Sequence, residues 1–352
     1  MSKSISNKQL FSSVKQLIDE AKKQVVRNVN SVIVFTYYHV GRMIVEDEQQ
    51  GTKRAAYAQQ TLSNLSIALT KEYGKGYSTD NLELMRKFYL SYSQISESAS
   101  RKSAIQKSET TSRKFNNITD FANAFRLSWS HYVQLIKIDN KKERTFYEIE
   151  AIQNNWSVRE LQRQYQSSLF ERLALSRDKK GVKKLATKGQ NIEQPTDALK
   201  QPYVLEFLGF KEDERYSESD LETAIISKLE HFMLELGKGF LFEGRQKRFT
   251  FEGDSYYVDL VFYNRLLKCF VLFDLKIGRL THQDIGQMQM YVNYYDRKVK
   301  TKDELPTIGI ILCKEENKTV VEFTLPENNK QIFAKEYKLY LPSKEELKKQ
   351  LK

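Results

Sequence analysis

The sequence predicts an α+β protein of two domains, all-helical at the amino-terminal end and a mixed α/β core at the carboxyl end. Three observations carry this expectation. At roughly 150 residues per domain, 352 residues suggest two cores. Apolar residues recur at helical spacing through residues 1–176, whereas beyond Tyr203 short aromatic and β-branched runs alternate with helical stretches. Between them, residues 177–202 are rich in Lys, Gly and Gln, include Pro195 and Pro202, keep no apolar period, and read as a linker.

From Asn7 to about Glu48, Leu10, Val14, Leu17, Ile18, Ala21, Val25, Val29, Val32 and Ile33 trace one long helix or two joined end to end. A second amphipathic segment runs from about Tyr57 to Tyr73 and stops at Gly74-Lys75-Gly76; Ser78 then caps a third with Leu82, Met85, Phe88 and Tyr89. Ser91 to Ser112 is dominated by Ser, Thr, Lys and Glu, so residues 91–118 are expected to be a mobile loop. Order resumes over Phe121–Ile138 and Glu143–Gln153. A further helix starts at Val158, where Ser157 and Glu160 form an S-x-x-E capping box.

In the carboxyl half, residues 203–342, a helix is expected from about Ser219 to Leu236. Strands follow at Lys247–Phe251, Tyr256–Tyr263 and Cys269–Lys276, then a helix from His282 to about Tyr295 capped by Thr281, and a strand at Thr307–Cys313. Shorter strand candidates lie at Val320–Leu325 and Tyr337–Leu341, and residues 343–352 make a basic tail. Phe270 to Leu275 is apolar on both sides, which calls for helices on both faces of the sheet.

Composition excludes several classes. With 40% hydrophobic and 12% aromatic residues the chain is too apolar for intrinsic disorder. No apolar run approaches the roughly 18 residues of a membrane span, and the amino terminus lacks a secretory apolar stretch, so a cytoplasmic protein with no membrane partner is expected. Two cysteines, Cys269 and Cys313, both in strand-like runs, supply neither a disulfide framework nor a zinc site. His39, His131, His231 and His282 are scattered without metal-ligand spacing. A formal net charge of +12 suits an anionic partner, nucleic acid being the commonest, although a solvated lysine-rich surface gives the same number.

Three polar residues intrude on the apolar strands: Asp259, Asp274 and Lys276. Side chains alternate along a strand, so Asp274 and Lys276 share one face. A four-residue hairpin loop, Arg265 to Lys268, would set Asp259 directly opposite Asp274 with Cβ atoms about 5 Å apart. Carboxylates at that range repel unless a cation lies between them, and oxygen-only ligation favours Mg²⁺ or Mn²⁺. An adjacent ammonium suits activation of water or neutralisation of charge on a phosphate. Glu222 falls in the middle of the apolar arc of Leu221, Ile225, Leu229, Phe232, Met233 and Leu236, as a third metal ligand or, with Ser219, as a capping box. Gln287 and Tyr291 share one face of the next helix, whose amino-terminal N–H groups are placed to meet a phosphate.

Asp259, a fourteen-residue gap and Asp274-Leu275-Lys276 resemble the PD-(D/E)XK nuclease core, and Gln287-Met288-Gln289-Met290-Tyr291 resembles the Gln-x-x-x-Tyr helix of its RecB and lambda-exonuclease branch. The longer string from Phe240 to Cys313 is similar to the YhcG-type family of bacterial PD-(D/E)XK proteins. So are Gly74-Lys75-Gly76-Tyr77-Ser78, Leu127-Ser128-Trp129-Ser130-His131-Tyr132 and Trp156-Ser157-Val158-Arg159-Glu160-Leu161. The resemblance implies a restriction-endonuclease-like fold, divalent-metal-dependent hydrolysis of DNA by Asp259, Asp274, Lys276, Gln287 and Tyr291, and an amino-terminal DNA-binding region. Val258 replaces the Pro of the motif, and Asp274 stands where Glu is more usual.

For DNA contacts the sequence offers Arg159, Gln162, Arg163 and Gln166 on one face of the Ser157-capped helix, and Arg86 and Lys87 in a segment whose spacing suits a helix-turn-helix. A solvated polar face and plain helical packing are the competing readings. The leading expectation is a Mg²⁺-dependent DNA endonuclease, with a homo-oligomer left open. The alternative is a non-cleaving DNA-binding or assembly protein that keeps the nuclease fold.

Overall fold

The computed structural model describes residues 2–50, 55–102, 118–175, 177, 179–210 and 215–350. Contacts divide the chain into two compact units, residues 1–144 with 151–161 and residues 145–150 with 162–352. The first is helical and the second holds the sheet, giving the α+β organisation expected.

In the first unit α1 (Ser2–Gln50) is a single unbroken helix, followed by α2 (Ala55–Tyr73), α3 (Thr79–Lys102), α4 (Ile118–Ala124) and α5 (Trp129–Leu135). Tyr38, Phe88, Tyr92, Phe121, Phe125 and Tyr132 are buried together, with Phe121 and Phe125 stacked at 4.3 Å. Gly41 lets α1 and α3 meet backbone to backbone, since a Cβ there would fall 2.0 Å from the Met85 carbonyl oxygen. The Ser78 cap is present, its Oγ accepting from the Asn81 N–H at 3.3 Å. One expectation is corrected: α3 continues through Lys102, so residues 91–102 are helical, while 103–117 lie outside the described residues. A shortage of apolar side chains argues against burial, but Ser, Lys and Glu are compatible with extending a helix already nucleated upstream.

Helices α6 (Lys141–Gln153) and α7 (Val158–Gln166) contribute residues to both units. The Ser157 capping box forms as expected, with the Ser157 N–H donating to Glu160 Oε2 at 2.5 Å and the Glu160 N–H to Ser157 Oγ at 3.2 Å. The stretch read as a linker differs from expectation. It contains α9 (Lys179–Lys188), which follows α8 (Leu169–Leu175), and it buries Leu185, Ala186, Ala198, Leu199 and Lys200 within the second unit. Its apolar positions are too few for a visible period, yet they suffice to dock one short helix.

The sheet has six strands in the order β1-β6-β5-β4-β3-β2: β1 (Tyr203–Val204), β2 (Phe240–Phe251), β3 (Asp254–Asn264), β4 (Cys269–Arg279), β5 (Ile308–Glu315) and β6 (Ile332–Lys338). The β2-β3-β4 ribbon is antiparallel, and β4-β5-β6-β1 is parallel. As the two-sided apolar pattern of β4 requires, one core forms with α10 (Glu218–Ser227) and α11 (Leu229–Leu236), holding Leu221, Phe232, Phe273 and Leu275. A second forms with α12 (His282–Tyr294), holding Leu272, Met288, Tyr291 and Ile311. Gly309 on β5 admits α12 closely, because a Cβ there would sit 2.5 Å from the Met288 sulfur.

Four further differences are local. The helix expected over 219–236 breaks at Lys228, whose Nζ donates to the Phe207 carbonyl at 2.6 Å. Val320–Leu325 lies not in a strand but mostly in α13 (Lys318–Thr324), because the Asn317 side chain caps it. The last strand sits earlier than expected, at Ile332–Lys338. The basic tail forms α14 (Lys344–Gln350), with Leu347 buried and Lys344 Nζ 4.0 Å from the Tyr165 ring centroid.

Candidate active site

The β3-β4 hairpin pairs Asn264 with Cys269 and Leu260 with Phe273, so its loop is the four residues 265–268, and continuing the register sets Asp259 against Asp274. Backbone pairing ends one step short of these acids. The Leu275 N–H donates instead to Asp259 Oδ2 at 2.8 Å, turning a ladder position into a carboxylate anchor.

Asp274 is almost wholly buried, and its Oδ2 lies 3.0 Å from Lys276 Nζ without an aligned hydrogen bond to any group. Burial, and then the charge of Asp259, push its carboxyl up to about 7. Burial also raises Asp259, opposed by the Leu275 N–H and by Lys276 and reinforced by Glu222. Burial pulls the Lys276 ammonium down, but Asp274, Glu218 at 3.8 Å and Asp259 outweigh it and hold the lysine above its ordinary value.

Glu222 is buried on α10, and the capping box that competed for it belongs to other residues. Ser217 is the cap and Asp220 its partner, with Ser217 Oγ accepting from the Asp220 N–H at 3.1 Å. Glu222 Oε2 instead accepts from Gln246 Nε2 at 2.5 Å, and the same amide nitrogen donates to Asp259 Oδ1 at 3.1 Å. Gln246 and Glu218 were not foreseen. Gln246 has a left-handed backbone, φ 47°, in the irregular strand β2, a feature its sequence neighbourhood does not announce.

On α12, Gln287 Nε2 hydrogen-bonds the Tyr291 hydroxyl. Burial raises the tyrosine, the Gln287 bond opposes it, and the charges of Asp274, Asp259 and Lys276 all reach it. The expected anion site at the start of α12 is taken: Thr281 Oγ1 accepts from the Asp284 N–H at 3.4 Å, and Asp284 Oδ2 accepts from the Thr281 N–H at 2.8 Å. A carboxylate there repels phosphate.

Among the described residues no three His, Cys, Asp or Glu side chains converge into a metal cage. The donor set nevertheless fits a hard divalent ion. It is all carboxyl oxygen, and Asp274 Oδ2 is a buried oxygen without an aligned hydrogen bond.

The residues expected to meet DNA divide. Arg159, Gln162 and Gln166 are exposed on α7. Arg163 is engaged within the fold, its guanidinium lying 3.0 Å from Glu206 and 3.6 Å from the buried Glu235. Glu235 in turn pairs with the buried Arg172. Arg86 is held by Glu48 at 2.7 Å, and Asn81 is tied between the Gly76 carbonyl and the Trp129 indole N–H, which favours helical packing there. Lys87 is exposed, 4.0 Å from an exposed Asp139.

Two family models match the chain, the YhcG PDDEXK nuclease domain over residues 196–352 and the DUF1016 N-terminal domain over residues 13–172. YhcG of Escherichia coli (strain K12) is 38% identical over 350 residues, covering 97% of this chain and 93% of that protein. The chain belongs to the YhcG-type PD-(D/E)XK nuclease family. Membership makes it an enzyme of the nucleic-acid-cleaving class and implies a mechanism that uses a divalent metal. A repair endonuclease from Pyrococcus abyssi aligns over 38% of this chain and half of its own length at 18% identity, with a TM-score of 0.24. That likeness is too slight to carry fold or function. Among the described residues no helix is long and apolar enough to cross a membrane.

Proposed function

We propose that this YhcG-family nuclease is a Mg²⁺-dependent DNA endonuclease, with Mn²⁺ able to substitute, whose catalytic residues are Asp259, Asp274 and Lys276. The observation that carries the reading is the buried Asp274 carboxylate beside Lys276, in register with Asp259. Two carboxyls and a lysine gathered on two neighbouring interior strands of a sheet cost stability, and that cost makes sense at a site that handles charge.

Asp259 and Asp274, with Glu222 beside them, are the residues to hold the ion, which when bound supplies Lewis acidity at the scissile phosphate. Asp259 is kept in place by the Leu275 N–H and by Gln246. Lys276, charged and half-buried, positions the attacking water and offsets negative charge gathering on the phosphate. Gln287 fixes the Tyr291 hydroxyl, and the pair orients α12 toward the substrate. Arg159, Gln162, Gln166 and Lys87 are the exposed side chains for DNA contact, phosphate for the cations and base edges for the amides.

The test is incubation with linear, nicked, branched and single-stranded DNA, with and without Mg²⁺, for wild type and Asp259→Ala. Metal-dependent cleavage by wild type alone is expected. Binding without hydrolysis on every substrate would overturn the endonuclease reading.

A further inference from the structure

The amino-terminal half of α1 carries an apolar seam that stays exposed among the described residues. Phe11, Val14, Ile18, Val25 and Val32 are between 44% and 71% exposed, and with Ala21 and Asn28 they recur at alternating steps of three and four residues. This is the 3.5-residue period of a coiled coil, with Phe11, Ile18, Val25 and Val32 at the a positions and Val14, Ala21 and Asn28 at d. Leu10 and Leu17, also exposed, flank it at g. Residues 11–32 make a strip about 33 Å long at 1.5 Å per residue, a length of open apolar surface that marks an interaction site.

We propose that this seam is an interface with a second copy of the chain, joined as a parallel, in-register, two-stranded coiled coil. Asn28 decides the occupant and the direction. Its Oδ1 already accepts from Gln24 at 2.9 Å, which leaves its amide N–H groups to be satisfied once the seam closes. In a parallel pair the d residue opposite Asn28 is Asn28 of the second copy, an acceptor as well as a donor. In an antiparallel pair d meets a, and every a residue here is apolar.

Charge points the same way. In the parallel pair Leu10 meets Lys15, Leu17 meets Lys22 and Gln24 meets Val29 of the second copy, so no like charges face each other and lysine stems cover leucines. The antiparallel pair would set Lys15 against Lys22. Ile18, Val25 and Val32 are the β-branched residues that two-stranded coiled coils carry at a.

Sedimentation equilibrium of the full chain should give twice the 41.4 kDa chain mass, and Ile18→Glu/Val25→Glu should give the single-chain mass. Because that variant disturbs helix α1 itself, Asn28→Cys supplies an independent reading. It should form a disulfide-linked dimer on mild oxidation, reversed by reductant, whereas wild type, whose two cysteines are buried, should not. A wild type that stays monomeric at tens of micromolar would overturn the proposal. So would a dimer that survives the double substitution, an assembly larger than two chains, or a dimeric Asn28→Cys that does not cross-link.

Discussion

Lys276 Nζ lies 3.0 Å from Asp274 Oδ2, two residues away on the same face of β4, and neither group has another partner as close. Removing the lysine should therefore affect chemistry more than folding, since Asp274, already raised to about 7, can take up a proton rather than remain an unpaired charge. Lys276→Ala is expected to lower single-turnover cleavage by about 10²- to 10⁴-fold while DNA affinity changes less than about threefold. Wild-type cleavage rates in this variant would remove Lys276 from the mechanism.

The raised Asp274 carboxyl also fixes a pH dependence. The folded protein holds a proton there up to about 7, whereas the unfolded chain releases it near ~3.9. Its contribution to stability is thus complete below ~4 and is lost as pH rises through about 7. In metal-free buffer, thermal stability should fall across that window, and Asp274→Asn should flatten the fall by up to ~4 kcal/mol. Added Mg²⁺ should raise the wild-type melting temperature more at pH 8 than at pH 5, because the ion binds the ionised carboxyl. Equal shifts at both values would separate Asp274 from the metal.

The hairpin of Asp259 and Asp274 was legible in the sequence because strand alternation and an even loop fix register without reference to distant residues. The caps at Ser157 and Thr281 were legible for the same reason: each is settled within three residues. What escaped was decided by partners far along the chain. Arg163 matches a DNA-facing pattern until Glu206 and Glu235 arrive from beyond the expected linker. Ser219 and Glu222 match a capping box as well as Ser217 and Asp220 do, and the cap lies two residues earlier. Gln246 is an ordinary strand residue in sequence, and its bridge to Glu222 and Asp259 exists only through the irregular course of β2.

Arg159 and Arg163 should now separate. Arg159 is exposed, so Arg159→Ala should weaken DNA binding uniformly and reduce the salt slope by about 1 with little change in stability. Arg163→Ala leaves Glu206 and the buried Glu235 short of a cation and should destabilise the fold by ~1–3 kcal/mol, with the salt slope unchanged. Denaturant titration and DNA binding at several salt concentrations read the two effects apart. A reduced salt slope for Arg163→Ala at preserved stability would return it to the DNA-binding surface.

Glu222 carries the sharpest remaining test, because its cap role has gone and only the cluster explains its burial. Its carboxylate shares the Gln246 amide with Asp259, which holds two acids near each other in the absence of an ion. Glu222→Gln keeps an oxygen that can accept from Gln246 and removes one negative charge, so stability in metal-free buffer should stay level or rise as repulsion with Asp259 is relieved. If Glu222 helps hold the ion, the Mg²⁺ concentration for half-maximal cleavage should rise by about three- to tenfold, since affinity follows the number of charged ligands. Isothermal titration with Mg²⁺ should show the same weakening without DNA present. An unchanged Mg²⁺ dependence would make Glu222 a hydrogen-bond acceptor that sets Gln246, and would leave Asp259 and Asp274 as the two carboxylates that hold the metal.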